Sequence, residues 1–125
     1  MLKAKSMSYS PESASGKYFA SLFDRLALGA EAKSRLVPMA GNGVMEAVAQ
    51  GGAELTVITV PNILGTPGVE LAGLLPVELQ NYIVFTAAVG SKAQDAEAAI
   101  ALIKFLAGAG ATAVLESKGM ERVSR

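Results

Sequence analysis

Four residues near the start of the chain, Ser13-Ala14-Ser15-Gly16, have the types and spacing to hold an anion. Two hydroxyls flank the start of a helix, and the glycine leaves its first amides uncrowded. Behind them Lys17-Tyr18-Phe19, then Leu22, Phe23 and Leu26, place apolar side chains at helical spacing, so the helix is anchored in a core while its tip stays open. First-turn N–H groups have no partner inside a helix, and the positive end of the helix dipole lies beside them. An oxyanion or polar solute can therefore sit there without a cationic side chain. The same residues also read as a plain N-cap, because Ser, Thr, Asp and Asn begin most helices.

The elements that must position this tip follow from the hydropathy pattern. Residues 6–10 are strand-like, Pro11 begins a turn, and a helix runs over about 16–28. After Gly29, residues 35–39 read as a second strand, and Gly41-Asn42-Gly43 opens a short helix closed by Gly51-Gly52. Residues 55–60, Leu-Thr-Val-Ile-Thr-Val, are β-branched and apolar at nearly every position, as in a central strand covered on both faces. Further strands are expected over 69–74 and 82–89, and helices over 95–106 and 109–118. Strands alternating with helices give an α/β fold, a mostly parallel sheet flanked by helices. In such sheets solutes gather at the carboxyl ends of strands, here the loops 10–16, 40–43 and 60–65.

Composition narrows the function. With 125 residues, 51% of them hydrophobic, the chain suits one domain. Eleven basic and eleven acidic residues cancel, and Trp is absent, so neither nucleic acid nor an anionic membrane surface is an expected partner. Histidine and cysteine are both missing, which removes the commonest general base, the commonest transition-metal ligand and the thiol nucleophile. No metal or other cofactor is expected, and the protein is expected not to be an enzyme. The apolar run 98–115 contains a single charge, Lys104, but Gly108-Ala109-Gly110 interrupts it, so two packed helices are expected rather than a membrane span. The first residues, Met1-Leu2-Lys3-Ala4-Lys5-Ser6, are basic with no apolar stretch after them, unlike a secretory signal.

The order of these pieces resembles the C-terminal half of the molybdate-type solute-binding proteins of ABC importers. The likeness lies in Ser8-Tyr9-Ser10-Pro11 with Ala14-Ser15-Gly16 and Tyr18-Phe19, and in Val48-Ala49-Gln50-Gly51-Gly52-Ala53-Glu54-Leu55. It continues through Gly68-Val69-Glu70-Leu71-Ala72-Gly73-Leu74-Leu75-Pro76, then Ala98-Ala99, Ile103-Lys104-Phe105-Leu106 and Lys118-Gly119. The resemblance implies one lobe of a two-lobed periplasmic-binding-protein fold over 1–125, with 82–125 as the return segment and C-terminal helices. It implies ligand contacts from Ala14, Ser15 and Gly16 beside Ser13, from the second helix start at Gly41, Asn42 and Gly43, and from the strand end at Thr59. Where molybdate binders carry a tyrosine whose hydroxyl helps hold the oxyanion, this chain has the shorter Thr59. A small anionic or polar solute, such as a molybdate-like oxyanion, an importer permease and a periplasmic location are what the resemblance implies for partners and place.

Several of these residues have plainer readings. Gly41-Asn42-Gly43 is also a turn in which glycine supplies positive φ, Thr59 is also a strand former, and Asn62 after Pro61 is ordinary loop chemistry as well as a group able to orient a solute. Because the family closes its cleft with a first lobe that has no counterpart in this sequence, Ile100, Ile103, Phe105 and Leu106 are expected to need cover, and a homodimer is expected. The second functional reading is an interaction or regulatory domain that keeps the fold without transporting a solute.

Overall fold

The computed structural model describes residues 3–122. Residues up to Ile83 form one compact unit and those from Val84 onward a second. The first is an α/β layer around a three-stranded parallel sheet of order β2-β1-β3, made of β1 (Met7–Tyr9), β2 (Leu36–Pro38) and β3 (Leu55–Thr56). Met7 pairs with Leu36 on one side and Leu55 on the other, so β1 is central. The expected α/β class, a parallel sheet flanked by helices, is observed.

Alternation along β1 sends its neighbours to opposite layers. Met7, 2% exposed, packs with Phe19, Leu22 and Phe23 of helix α1 (Ala14–Arg25). Ser8 is fully buried and its hydroxyl donates to the Val44 carbonyl at 2.9 Å, tying helix α3 (Gly43–Ala49) to the sheet. The spacing of Phe19, Leu22 and Phe23 puts them on one face of α1, and the two phenylalanine rings meet edge to face at 5.4 Å. Burying each of these side chains stabilises the layer by about 1.5–3 kcal/mol. Between α1 and β2 lies the short helix α2 (Gly29–Lys33), joined to α1 by the Lys33–Asp24 ion pair. The Tyr18 hydroxyl donates to the Leu79 carbonyl at 2.8 Å and so pins the 3-10 turn Val77–Leu79 to α1.

Both ends of α1 are set by local chemistry. Ser13 caps it, so the helix starts at Ala14, two residues before the sequence expectation. At the other end Ala27 has φ of 50°, its N–H donates to Asp24 and that of Leu28 to Phe23, the two bonds of a Schellman motif. Helical hydrogen bonding therefore stops before the expected Leu28.

Three strand expectations differ from the structure. The strand expected over 55–60 pairs only at Leu55 and Thr56, because β1 ends at Tyr9 and Pro61 starts a new helix, α4 (Val60–Leu64), with Thr59 as its N-cap. Residues 69–74 and 82–89 form no ladder among the described residues. Their composition suits a strand, but a strand exists only where another strand accepts its hydrogen bonds, and the three-stranded sheet contains neither.

The second unit holds helix α5 (Ala96–Ala107), capped by the Asp95 carboxylate accepting from the Ala98 amide at 2.8 Å, and helix α6 (Thr112–Ser117) after a 3-10 turn at Ala109–Ala111. Gly108 separates them, and the two axes differ by 62°. Among the described residues no single helix is long and apolar enough to cross a membrane.

Candidate functional site

A crevice of about 590 Å³ opens beyond the carboxyl ends of β1 and β3. Its place follows from topology. The chain leaves β1 for β2 on one side, then leaves β2 for β3 on the other, and the two connections part between β1 and β3. Tyr9 and Ser10 reach it from the end of β1, Val57 and Ile58 from the end of β3. Ser13, Ser15 and Gly16 form the wall at the start of α1, and Gly41, Asn42, Val44, Met45 and Glu46 form that at the start of α3. The segment from Pro61 to Pro67 closes it, with Asn62 and Thr66 as its polar side chains.

The α1 wall is held by its own serines. The Ser13 hydroxyl accepts from the Gly16 amide at 3.0 Å and donates to the Ser10 carbonyl at 3.1 Å, which also accepts from the Ser13 amide at 3.2 Å. Both halves of the Ser13 hydroxyl, and the Gly16 N–H, are thus engaged inside the loop. The first helical bond runs from the Lys17 amide to the Ser13 carbonyl at 3.0 Å, which leaves the Ala14 and Ser15 amides with no acceptor among the described residues. The Ser15 hydroxyl lies 3.3 Å from that of Ser13 and, because the Ser13 proton goes to Ser10, it is the donor of that long bond, with lone pairs open and a proton that a solute receives only by displacing Ser13.

Gly16 owes its identity to a close approach. A Cβ on it would lie 1.8 Å from the Ser10 carbonyl oxygen and 2.9 Å from the Ser13 hydroxyl. Glycine therefore lets α1 start against the end of β1, and only in that position does the tip border the crevice.

The α3 wall is built differently. Gly41 turns the chain with φ of 51°, Asn42 precedes the helix without capping it through its side chain, and the Gly43 amide donates to the Ala40 carbonyl at 3.0 Å. The turn reading of Gly41-Asn42-Gly43 describes this backbone. Asn42 and Asn62 keep side-chain amides with no partner among the described residues, whereas the Thr66 hydroxyl donates to the Asn62 carbonyl at 2.8 Å.

Of the residues singled out from sequence, Ser13, Ser15, Gly16, Gly41, Asn42 and Asn62 line this one crevice. Ala14, Gly43 and Thr59 do not line it; Ala14 is exposed, and Thr59 uses its carbonyl to accept from the Asn62 amide at 3.0 Å. Glu46 was not singled out, though it stands four residues after Asn42, one helical turn along the same face. That spacing was the available signal. Among the described residues Glu46 is also the one formally charged residue on the lining, where no lysine or arginine appears. Among the described residues no group of carboxylates could hold a metal ion.

A sequence profile described as bacterial extracellular solute-binding protein matches residues 4–121. The chain is also 36% identical over 124 residues to a Pseudomonas sp. protein named aconitate isomerase, an alignment that takes in 97% of this chain and 46% of that relative. The chain thus spans about half the length of the curated relative it matches. No solved structure matches. The relative corrects one expectation. The lack of histidine and cysteine makes a non-enzyme the expectation, yet a similar chain carries an enzyme's name, and an isomerase needs neither a thiol nor an imidazole if a carboxylate can move protons.

Proposed function

We propose that this chain, which belongs to the bacterial extracellular solute-binding protein family, forms one wall of a site for a small carboxylate-bearing solute. Neutral hydrogen-bond donors hold the solute's oxygens, and no cationic side chain takes part. One observation carries this reading: the unpaired Ser15 amide, the Ser15 hydroxyl held only by its 3.3 Å bond to Ser13, and the free amides of Asn42 and Asn62 line a single crevice at the switch point of the sheet. A carboxylate fits such donors because its two oxygens accept several bonds at once.

A carboxylate is favoured over a molybdate-like oxyanion on two grounds. Thr59, which occupies the place of the molybdate binders' tyrosine, does not line the crevice. The relative's name specifies aconitate, a small unsaturated tricarboxylic acid. In this reading the opposite wall comes from a second lobe, corresponding to the part of the relative that this chain does not span, and the complete site works in the periplasm beside an importer's permease.

Each charge-assisted hydrogen bond contributes about 1.5–3 kcal/mol before the cost of association. With a few such bonds and one wall, the chain is expected to bind trans-aconitate with Kd on the order of 1 mM. Titration followed by NMR tests this. Saturable shifts at residues 13–16 and 42–46 are expected with trans-aconitate, weaker ones with molybdate or sulfate and none with glucose. Ser15→Ala should weaken aconitate binding about tenfold. Shifts absent from the crevice, or a Ser15→Ala variant that binds like the parent chain, would refute the reading.

A further inference from the structure

We propose that Glu46 is the general base of this site, moving a proton between two carbon atoms of an unsaturated polycarboxylate held in the crevice. The inference rests on the preceding reading of the ligand and adds the group that acts on it.

With no histidine and no cysteine in the chain, carboxylates are the side chains left to accept a proton near neutral pH. Most have other employment or another place. Asp24 and Glu31 sit in ion pairs with Lys33 and Arg35, Glu54 accepts from the Lys5 amide, and Asp95 caps α5. Glu46 alone among the acids lines the crevice, and its carboxylate bonds to nothing among the described residues. Its backbone is held by an Asn42 carbonyl at 3.3 Å, on a helix whose Val44 and Met45 are buried. The base is thus free while its support is fixed.

The chemistry asks for little more. Aconitate has a CH2 group beside the carbon–carbon double bond. When the Glu46 carboxylate takes a proton from that CH2, the C–H electron pair becomes a new double bond to the central carbon. The former double-bond pair moves to the far carbon, which receives the proton back from the Glu46 carboxylic acid. One C–H bond breaks and one forms, the double bond shifts by one position, and the constitution of the acid is unchanged. The rotamer held by the site sets whether the new double bond is cis or trans. No oxidant, reductant or metal enters the balance. Negative charge that develops on carbon spreads into the neighbouring carboxylate, where the Ser15 and asparagine donors lie ready to receive it.

The test follows deuterium by NMR. The full chain in D2O is given trans-aconitate, and binding and exchange of carbon-bound hydrogen are read in the same sample. The parent chain should bind, exchange its CH2 and vinyl hydrogens and release some cis isomer. Glu46→Gln, an exposed position on α3, should fold and bind at least as tightly as the parent but exchange at least about 100-fold more slowly, and Glu46→Asp should restore part of the rate. A parent chain that binds without exchange, or a Glu46→Gln variant that exchanges at the parent rate, overturns the role of Glu46 and leaves the binding reading standing. Failure to bind removes both.

Discussion

Replacing Gly16 with alanine sets two physical effects against each other, and the structure decides between them. Helix propensity favours alanine by up to about 1 kcal/mol, so a reading of α1 as an ordinary helix predicts a more stable protein. The added Cβ, however, would lie 1.8 Å from the Ser10 carbonyl oxygen, a backbone atom that cannot swing aside as a flexible side chain can. Either α1 withdraws from the end of β1 or the loop 10–13 gives way. Overpacking of this sort costs about 1–3 kcal/mol. Movement also breaks the 3.0 Å cap between the Gly16 amide and Ser13, worth about 1 kcal/mol. The net expectation is a loss of about 2 kcal/mol, or about 8–16 °C in Tm for a unit of this size. Thermal unfolding followed by circular dichroism measures it. A Tm equal to or above that of the parent chain would refute the claim that α1 packs directly on the Ser10 carbonyl.

The converse exchange at the other end of the same helix should act oppositely. Ala27→Gly relieves a left-handed alanine at the Schellman position, and after the entropy added to the unfolded chain it should raise stability by about 0.5–1 kcal/mol, read as an increased urea midpoint. Ser13→Ala and Ser15→Ala separate support from contact: the first should lower stability by about 1 kcal/mol through loss of the cap, while the second should leave Tm within about 3 °C and weaken only the binding of trans-aconitate. Covering of Ile100, Leu102 and Phe105, each more than two-fifths exposed on α5, by a second copy predicts a dimer mass in light scattering, and a stable monomer at micromolar concentration would exclude it.

Legibility followed the range of the interaction. Ser13 as a cap and the Phe19, Leu22, Phe23 stripe were readable because each depends on residues within one or two helical turns. The order of β and α elements was enough to give a parallel sheet and to point to its carboxyl edge, where the crevice opens. Residues 69–74 and 82–89 differ from the strand expectation because an apolar run records a preference and says nothing of whether a partner strand stands beside it. The truncation of β3 had a local cause, Pro61, that the apolar run before it concealed. Gly16 lines the crevice, and the need for glycine there was not legible locally: its neighbour across space is Ser10, and its amide serves the cap.

The same crevice also explains why binding and isomerase readings need not compete. In the proposed reading, neutral donors hold a carboxylate whether or not anything happens to it; these are the Ser15 amide, fixed at the start of α1, with the Ser15 hydroxyl and the asparagine side chains. The proposed chemistry needs one further property, an unpaired carboxylate on the same crevice, and α3 supplies it by placing Glu46 one turn after Asn42. A polyanion is repelled by that carboxylate, so Glu46 weakens binding while enabling proton transfer. A lobe selected for affinity alone gains by losing it. Glu46→Gln should therefore bind trans-aconitate at least as tightly as the parent chain, and tighter binding accompanied by lost exchange is the signature that distinguishes a base from a binding contact.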